Sequence, residues 1–215
     1  MTADLVTPER VTPEHRLPAR TRVTHRAVEV DLDRAREGAA TMLAALGLPI
    51  DTSDLMDTPR RLVDAYAELL TVPEFDLTTF DNAGGYDELV LVQDIPVRSL
   101  CEHHMLPFTG VAHVGYLPGD RILGLSKLAR VVGHFAARPQ VQERLTTQVA
   151  GWLEEQLAPR GVGVVIEAEH TCMTLRGVQA RGTSTVTSTL RGVLRDDPRS
   201  RQEFFALTLT EARHG

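Results

Sequence analysis

The sequence has 215 residues, of which 42% are hydrophobic and 24% are charged, and its formal net charge is −6. A chain of this size can bury one core, and the net negative charge argues against a general nucleic-acid-binding protein. No apolar run approaches the length of a membrane span, and no signal peptide opens the chain. We therefore expect a cytoplasmic protein without a membrane partner, whose two cysteines remain thiols.

The N-terminal segment, residues 1–28, is predicted to be a disordered tail. It contains three prolines, five arginines and three acidic residues, with little apolar periodicity. The rest of the chain divides into a helical region, 29–80, and a larger domain, 81–215, which carries most of the candidate site residues.

Two helices are predicted in the helical region. Apolar residues recur every three or four positions over 32–46, and Gly47 ends the pattern. The second helix is predicted to begin with Thr58 as its N-cap and Pro59 in its first turn. Arg61 lies in that turn, where a solvated position is the default interpretation and contact with an anion is the alternative.

The larger domain is predicted to contain two antiparallel strand pairs, 88–97 with 111–117 and 162–176 with 183–194. Two helices lie between these pairs, and a last helix begins near residue 198. This order of elements predicts an α+β fold with an antiparallel sheet backed by helices.

The strongest chemical signal is the segment 99–104 (SLCEHH), in the connection between the first two strands. Cys101 and His104 form a C-x-x-H pair, and Cys172 is the only other cysteine in the sequence. Two thiolates and an imidazole suit Zn²⁺, and such a set leaves a fourth tetrahedral position for water. The alternative is that both cysteines are small buried hydrophobic residues.

A strand at 162–176 would favour the zinc interpretation. Its alternating side chains would place His170, Cys172, Thr174 and Arg176 on one face. An imidazole, a thiolate, a hydroxyl and a guanidinium together are not typical of a core strand. His103 and His170 would then remain beside the metal as candidate proton carriers.

A candidate phosphate site lies in the segment 124–130 (GLSKLAR). Ser126 is predicted to be the N-cap of a helix that carries Lys127 and Arg130 on one face. Free backbone N–H groups, a hydroxyl and two cations can bind phosphate. On the next helix, Gln142 and Glu143 are predicted to lie on the solvated face.

Several segments, taken together and in order, closely resemble GTP cyclohydrolase I. The resemblance covers about residues 57–207 and departs from the family at Val111, where a lysine is expected. The segments that carry it are 99–104 (SLCEHH), 115–118 (GYLP), 124–130 (GLSKLAR), 138–144 (RPQVQER), 170–172 (HTC) and 176–177 (RG).

This resemblance implies the tunnelling fold (T-fold), in which neighbouring subunits join their sheets into a barrel, with 81–215 as the catalytic domain. It implies a homodecamer with active sites between subunits. The implied reaction is zinc-dependent hydrolysis of GTP to 7,8-dihydroneopterin triphosphate and formate, the first step of folate or tetrahydrobiopterin biosynthesis.

The resemblance also implies a role for each candidate residue. Cys101, His104 and Cys172 would bind zinc, and His103 and His170 would carry protons. The implied substrate contacts are Lys127, Arg130, Arg176 and Arg61 for the triphosphate, Ser126 for the ribose or a phosphate, and Gln142 and Glu143 for guanine.

Two alternatives remain open from the sequence. One is a related T-fold enzyme that acts on a pterin or a deazaguanine without this zinc-dependent hydrolysis. The other is a zinc-stabilised homologue that has the fold but no turnover.

Overall fold

The computed structural model describes residues 19–24 and 29–208, which form eight strands and seven helices. The strands are β1 (Ala19–Val23), β2 (Phe75–Asp81), β3 (Val90–Cys101), β4 (Pro107–Leu117), β5 (Arg121–Leu123), β6 (Pro139–Gln140), β7 (Gly161–His170) and β8 (Thr185–Gly192). The helices are α1 (Leu32–Ala45), α2 (Thr58–Leu69), α3 (Ser126–Ala136), α4 (Gln142–Leu157), α5 (Thr171–Thr174), α6 (Val193–Asp196) and α7 (Pro198–Thr208).

The main sheet contains five strands in the order β6-β3-β4-β7-β8. Strands β3, β4, β7 and β8 pair antiparallel, whereas the two-residue β6 pairs parallel with the end of β3. The predicted strand pairs and the α+β class are therefore confirmed. Helix α3 packs against β3, and α4 packs against β7 and β8.

The first six residues of β7 are buried, as expected for a central strand that has neighbours on both edges and a helix against one face. Facing it, α4 contributes Leu145, Val149 and Leu153, each at most 1% exposed. The apolar stripe of α4 thus anchors this helix over the strand that leads to His170.

A smaller antiparallel sheet, in the order β1-β2-β5, was not predicted. Strand β1 corrects the prediction of a disordered tail at residues 19–23. It pairs with β2, and Arg22 forms ion pairs of 3.2 Å with both Glu74 and Asp76. The rest of the predicted tail, 1–18 and 25–28, lies outside the described residues, and the domain boundaries at 28/29 and 80/81 stay predictions.

Two predicted helix N-caps are wrong by one residue. Asp57, not Thr58, is the N-cap of α2, although Pro59 lies in the first turn as predicted. Leu125 is the N-cap of α3, so Ser126 is its first helical residue and makes no capping hydrogen bond. The hydroxyl of Ser126 therefore does not cap the N-terminus of α3.

The predicted strand 162–176 is too long. Strand β7 ends at His170, and Cys172 lies in the one-turn helix α5. Thr174 is buried at 5% exposure whereas Arg176 is exposed, so the predicted common face of four side chains does not form. Among the described residues, no helix has both the length and the apolarity needed to cross a membrane.

Gly110 is required where β4 meets β7. It pairs with Ala168, and a Cβ at position 110 would lie 1.9 Å from the Glu167 carbonyl oxygen and 2.6 Å from Ala168 Cα. We expect Gly110→Ala to lower the free energy of unfolding by about 1–3 kcal/mol or more, because backbone must move. Chemical denaturation measures this change.

Gly38→Ala is the matched control, since Gly38 is exposed within α1 and a Cβ there would meet no atom within 4 Å. It should raise stability by up to about 1 kcal/mol through helix propensity. Equal stability of the Gly110→Ala variant and the unmodified protein would contradict the close approach of β4 to β7.

Candidate functional site

Cys101 is the last residue of β3 and begins a tight turn into β4. Its backbone N–H donates to Leu106 O at 2.8 Å, and its carbonyl accepts from the N–H groups of His104 at 3.2 Å and Met105 at 2.7 Å. Met105 has φ of +54°, a left-handed conformation that closes the turn. These bonds fix the backbone of Cys101 and His104 relative to each other.

A second set of contacts ties this turn to the start of α4. The Glu102 N–H donates to Gln140 O at 3.0 Å, and the Glu102 carboxylate forms an ion pair with Arg144. Arg144 also donates to Gln140 Oε1 at 3.0 Å. The hydrogen bond from Arg144 holds the pKa of Glu102 below its usual range. Sequence reasoning singled out neither Glu102 nor Arg144.

Helix α5 brings the second thiol to the same place. The Thr171 hydroxyl donates to Pro107 O at 2.6 Å, which attaches the start of α5 to the start of β4. Cys172 Sγ then lies 3.8 Å from Cys101 Sγ, and neither cysteine forms a disulfide. The pKa of the Cys172 thiol is raised by burial and by the neighbouring Cys101, with Arg176 acting in the opposite direction.

The spacing of these groups fits a tetrahedral metal ion. Besides the two sulfurs, His104 Nδ1 lies 3.8 Å from Cys101 Sγ. For zinc, with Zn–S bonds of about 2.3 Å and Zn–N bonds of about 2.0–2.1 Å, ligand sulfurs lie about 3.8 Å apart and sulfur and nitrogen about 3.6 Å apart. Two distances, Cys101 Sγ to Cys172 Sγ and Cys101 Sγ to His104 Nδ1, are thus close to the required values, but His104 is not part of the group of ligand atoms that lie within 4.8 Å of one another.

His170 is a second candidate for the third ligand. One ring nitrogen of His170 and the two cysteine sulfurs lie within 4.8 Å of one another. The His103 ring, by contrast, is exposed, with its centroid 6.4 Å from that of His104. The geometry therefore places His170 within reach of both sulfurs, whereas the contact of His104 is with Cys101 Sγ.

The His170 ring is held on two sides. It stacks on Phe108 with 4.4 Å between ring centroids and an interplanar angle of 11°, and its Nε2 lies 2.7 Å from Gln142 Oε1. Burial lowers the pKa of His170, an effect that the nearby Glu143 carboxylate opposes. His170 is consequently biased toward the neutral imidazole, the form that can accept a proton.

The sequence predicts that Gln142 lies on the solvated face of its helix, and this prediction is wrong. It is 1% exposed, and its amide bonds to His170 and to groups on β7 and β8. A guanine contact through this side chain would require those bonds to break. The sequence did carry a signal of burial, since Gln142 lies three and seven positions before Leu145 and Val149 on the apolar stripe of α4.

Glu143, the next residue, is exposed as predicted. Within the part of the chain that the structure describes, its carboxylate makes no hydrogen bond or ion pair, yet it is close enough to act on the charge of His170. A carboxylate without a partner among the described residues is thus near enough to His170 to influence its charge.

The predicted phosphate contacts on α2 and α3 make no hydrogen bond or ion pair with the cysteines among the described residues. Ser126, Lys127 and Arg130 lie in the first turns of α3, and no hydrogen bond or ion pair among the described residues connects their side chains with the cysteines. Arg61 pairs with Asp57 at 3.3 Å on α2, and its side chain is 65% exposed.

Comparisons with known proteins identify a family for this chain. The family model for GTP cyclohydrolase I matches residues 35–209. GTP cyclohydrolase 1 of Aquifex aeolicus is 49% identical over 83% of this chain and 97% of its own length, and that of Streptomyces avermitilis is 53% identical over 84% and 92%. A solved structure of the archaeosine synthase QueF-Like covers 48% of this chain and 93% of its own at 16% identity, with a TM-score of 0.41, too low to bear on the fold.

Proposed function

The chain belongs to the GTP cyclohydrolase I family, and on that premise we propose that the groups around Cys101 and Cys172 form its zinc-dependent active site. The enzyme hydrolyses GTP to 7,8-dihydroneopterin triphosphate and formate, the first step of pterin biosynthesis. The observation that carries the site proposal is the 3.8 Å separation of two thiols that are 71 positions apart in the sequence.

The proposed zinc ligands are Cys101, His104 and Cys172. Two soft thiolates and one imidazole suit zinc, and three protein ligands leave a fourth position for water. When bound, zinc supplies a Lewis acid that lowers the pKa of water toward neutrality. The free thiols and the raised pKa of Cys172 mean that metal binding must release protons and weaken at low pH. The free thiols also fit a reducing, cytoplasmic location, which is part of this proposal.

The proposed proton carriers are His170 and His103. His170 is half-buried, held against Phe108 and biased toward the neutral form, so it can take up a proton near pH 7. His103 is exposed at the tip of the turn and can exchange protons with solvent. The two histidines thus offer a buried and a solvent-facing proton site beside the metal ligands.

Glu143 is the proposed guanine contact. Guanine presents N1–H and its 2-amino group side by side, and a carboxylate can accept from both at once. The carboxylate of Glu143 has no competing partner among the described residues. Gln142, implied by the resemblance as a second contact, is bonded internally and does not offer its amide to a base.

The triphosphate would be bound by Lys127, Arg130 and Arg176, with Ser126 for the ribose or a phosphate. The charge of Arg176 opposes the raised pKa of Cys172, whereas no described contact joins the α3 residues to the thiols. A neighbouring subunit that contributes residues such as its Arg61 would complete the triphosphate site. The homodecamer whose sheets join into a barrel, which the family resemblance implies, is part of this proposal.

The metal proposal predicts about one zinc per subunit, with loss of zinc and of turnover in Cys101→Ser and Cys172→Ser, because serine is a far poorer zinc ligand. His104→Ala and His170→Ala distinguish the two candidate third ligands. We expect His104→Ala to lose zinc and His170→Ala to keep it while losing turnover. Elemental analysis of the purified variants measures the metal.

His113→Ala is a control for histidine removal, since His113 is buried within β4 and its Nδ1 accepts from the Asp94 N–H at 3.4 Å. It should keep its zinc. Zinc loss in His170→Ala with retention in His104→Ala would reverse the assignment, and a metal-free protein that still turns over GTP would refute the zinc site.

The guanine proposal predicts that wild type discriminates against ATP by about 10⁴-fold or more, because adenine would leave the carboxylate unpaired. Glu143→Ala should lose GTP affinity while retaining zinc. Inosine triphosphate, which keeps N1–H but lacks the 2-amino group, should bind with intermediate affinity. Equilibrium binding of the three nucleotides measures these differences.

Glu155→Ala provides the matched control, since Glu155 is an exposed residue of the same helix. GTP affinity should not change in this variant. If Glu143→Ala binds GTP as tightly as Glu155→Ala does, Glu143 is only a solvated helix residue.

The phosphate proposal predicts that Lys127→Ala, Arg130→Ala and Arg176→Ala each weaken GTP binding more than guanosine binding. A charge-assisted contact contributes about 1.5–3 kcal/mol, which is about one to two decades in affinity. Arg34→Ala, at an exposed position of α1, is the control. Unchanged GTP affinity in all three variants would place the triphosphate elsewhere.

A further inference from the structure

We infer that Gln142 is a positioning residue that holds His170 in the tautomer with the proton on Nε2, which leaves the lone pair of the ring on Nδ1. This inference rests on the proposed role of His170 and deepens it. It also gives Gln142 a task different from base recognition.

The orientation of the Gln142 amide is fixed by two backbone carbonyls. Gln142 Nε2 lies 3.0 Å from Ile166 O and 2.8 Å from Thr185 O. Carbonyl oxygens only accept hydrogen bonds, so the atom that faces them must be the NH₂ group. The flipped amide would set its oxygen against both carbonyls within a buried site, which is unfavourable.

The amide orientation determines the His170 tautomer. With its NH₂ group committed to β7 and β8, Gln142 presents Oε1 to His170 Nε2 at 2.7 Å. An amide oxygen has no proton to donate, so the hydrogen in this bond belongs to His170 Nε2. A neutral imidazole has one proton, and its lone pair is therefore on Nδ1.

Two threonines keep Gln142 in place. The Thr146 hydroxyl donates to Gln142 O at 2.8 Å, and Thr146 Oγ1 lies 2.6 Å from Thr187 Oγ1. Because the Thr146 proton is used on that carbonyl, Thr187 donates to Thr146. The two Gln142 Nε2 protons face the Ile166 and Thr185 carbonyls, so Thr187 Oγ1, 3.2 Å from Nε2, is at most a shared acceptor of one of them. These directions are mutually consistent, so the network favours a single arrangement.

Stacking on Phe108 fixes the plane of the His170 ring, and the bond to Gln142 fixes its rotation and its proton. Since Nε2 is engaged with Gln142, the lone pair is on Nδ1 of a ring that has a nitrogen within 4.8 Å of both cysteine sulfurs.

Solid-state ¹⁵N NMR of the zinc-loaded enzyme with labelled histidine tests the tautomer directly, and the spectrum of His170→Ala assigns the signals. We expect wild-type His170 to show a protonated Nε2 and an unprotonated Nδ1. In Gln142→Met, which is close in size but whose thioether is only a weak acceptor, the Nδ1–H form should also be populated. A wild-type spectrum with the proton on Nδ1 would overturn the inference and does not depend on any Gln142 variant being stable.

Steady-state kinetics separate positioning from substrate contact. Gln142→Met should lower kcat about tenfold or more, with KM for GTP and zinc content within about twofold of wild type. Gln156→Met, at an exposed position of the same helix, should change neither. A raised KM at unchanged kcat would make Gln142 a guanine contact and overturn the inference.

Different results would refute the catalytic role of His170 and the positioning role of Gln142. Full turnover in His170→Ala would refute the catalytic role of His170 and leave the NMR result standing. A wild-type spectrum in the wrong tautomer would refute the role of Gln142 and leave the family activity unaffected.

Discussion

The antiparallel register between β4 and β7 determines where the candidate catalytic groups lie. It sets Phe108 opposite His170, at the end of the sheet where β3 delivers Cys101 and where α5 begins. Side chains alternate along a strand, so a shift of one residue would turn His170 to the opposite face and away from the thiols. The register is in turn protected by Gly110, because β7 passes too close to that position for any side chain.

The same register explains why the site contains both buried and exposed polar groups. His170 reaches the edge of the buried sheet, where lost hydration lowers its pKa, and the Gln142 amide offsets that loss with a hydrogen bond to the neutral ring. Gln142 in turn needs donors and acceptors of its own, which β7, β8 and Thr146 supply. A chain of satisfied bonds thus permits an imidazole to remain buried beside two thiols.

The sequence predicted the parts of this arrangement that local pattern controls. Hydrophobic periodicity predicted α1, and other local sequence patterns predicted α4 and the β7–β8 pair. The C-x-x-H spacing predicted Cys101 and His104 as neighbours, in agreement with the 3.8 Å contact between Cys101 Sγ and His104 Nδ1. Prediction from the sequence failed where tertiary contacts override the local secondary-structure propensity. Strand β7 stops at His170 because α5 is attached to Pro107, and β1 exists because β2 is available as its partner.

The roles of Gln142 and Glu102 could not be predicted from the sequence, for a physical reason. The place of Gln142 on the apolar stripe of α4 indicates burial, but the groups that it bonds to depend on what packs above the helix. Gln142 faces β7 and β8, whereas the adjacent Glu143 faces solvent. Neighbouring residues of similar polarity therefore have opposite environments, about 100° apart around the helix axis.

The exposed cations differ among themselves in a way that bears on substrate binding. Within the described residues, Lys127, Arg130 and Arg176 form no ion pairs, so a phosphate can approach them without displacing a carboxylate. Arg61 is paired with Asp57, and a phosphate must first compete with that carboxylate. The exchange costs little at a solvated pair, since such pairs contribute about 0–1 kcal/mol. The three unpaired cations are therefore already available to the anion, while Arg61 must leave its own helix partner to join them.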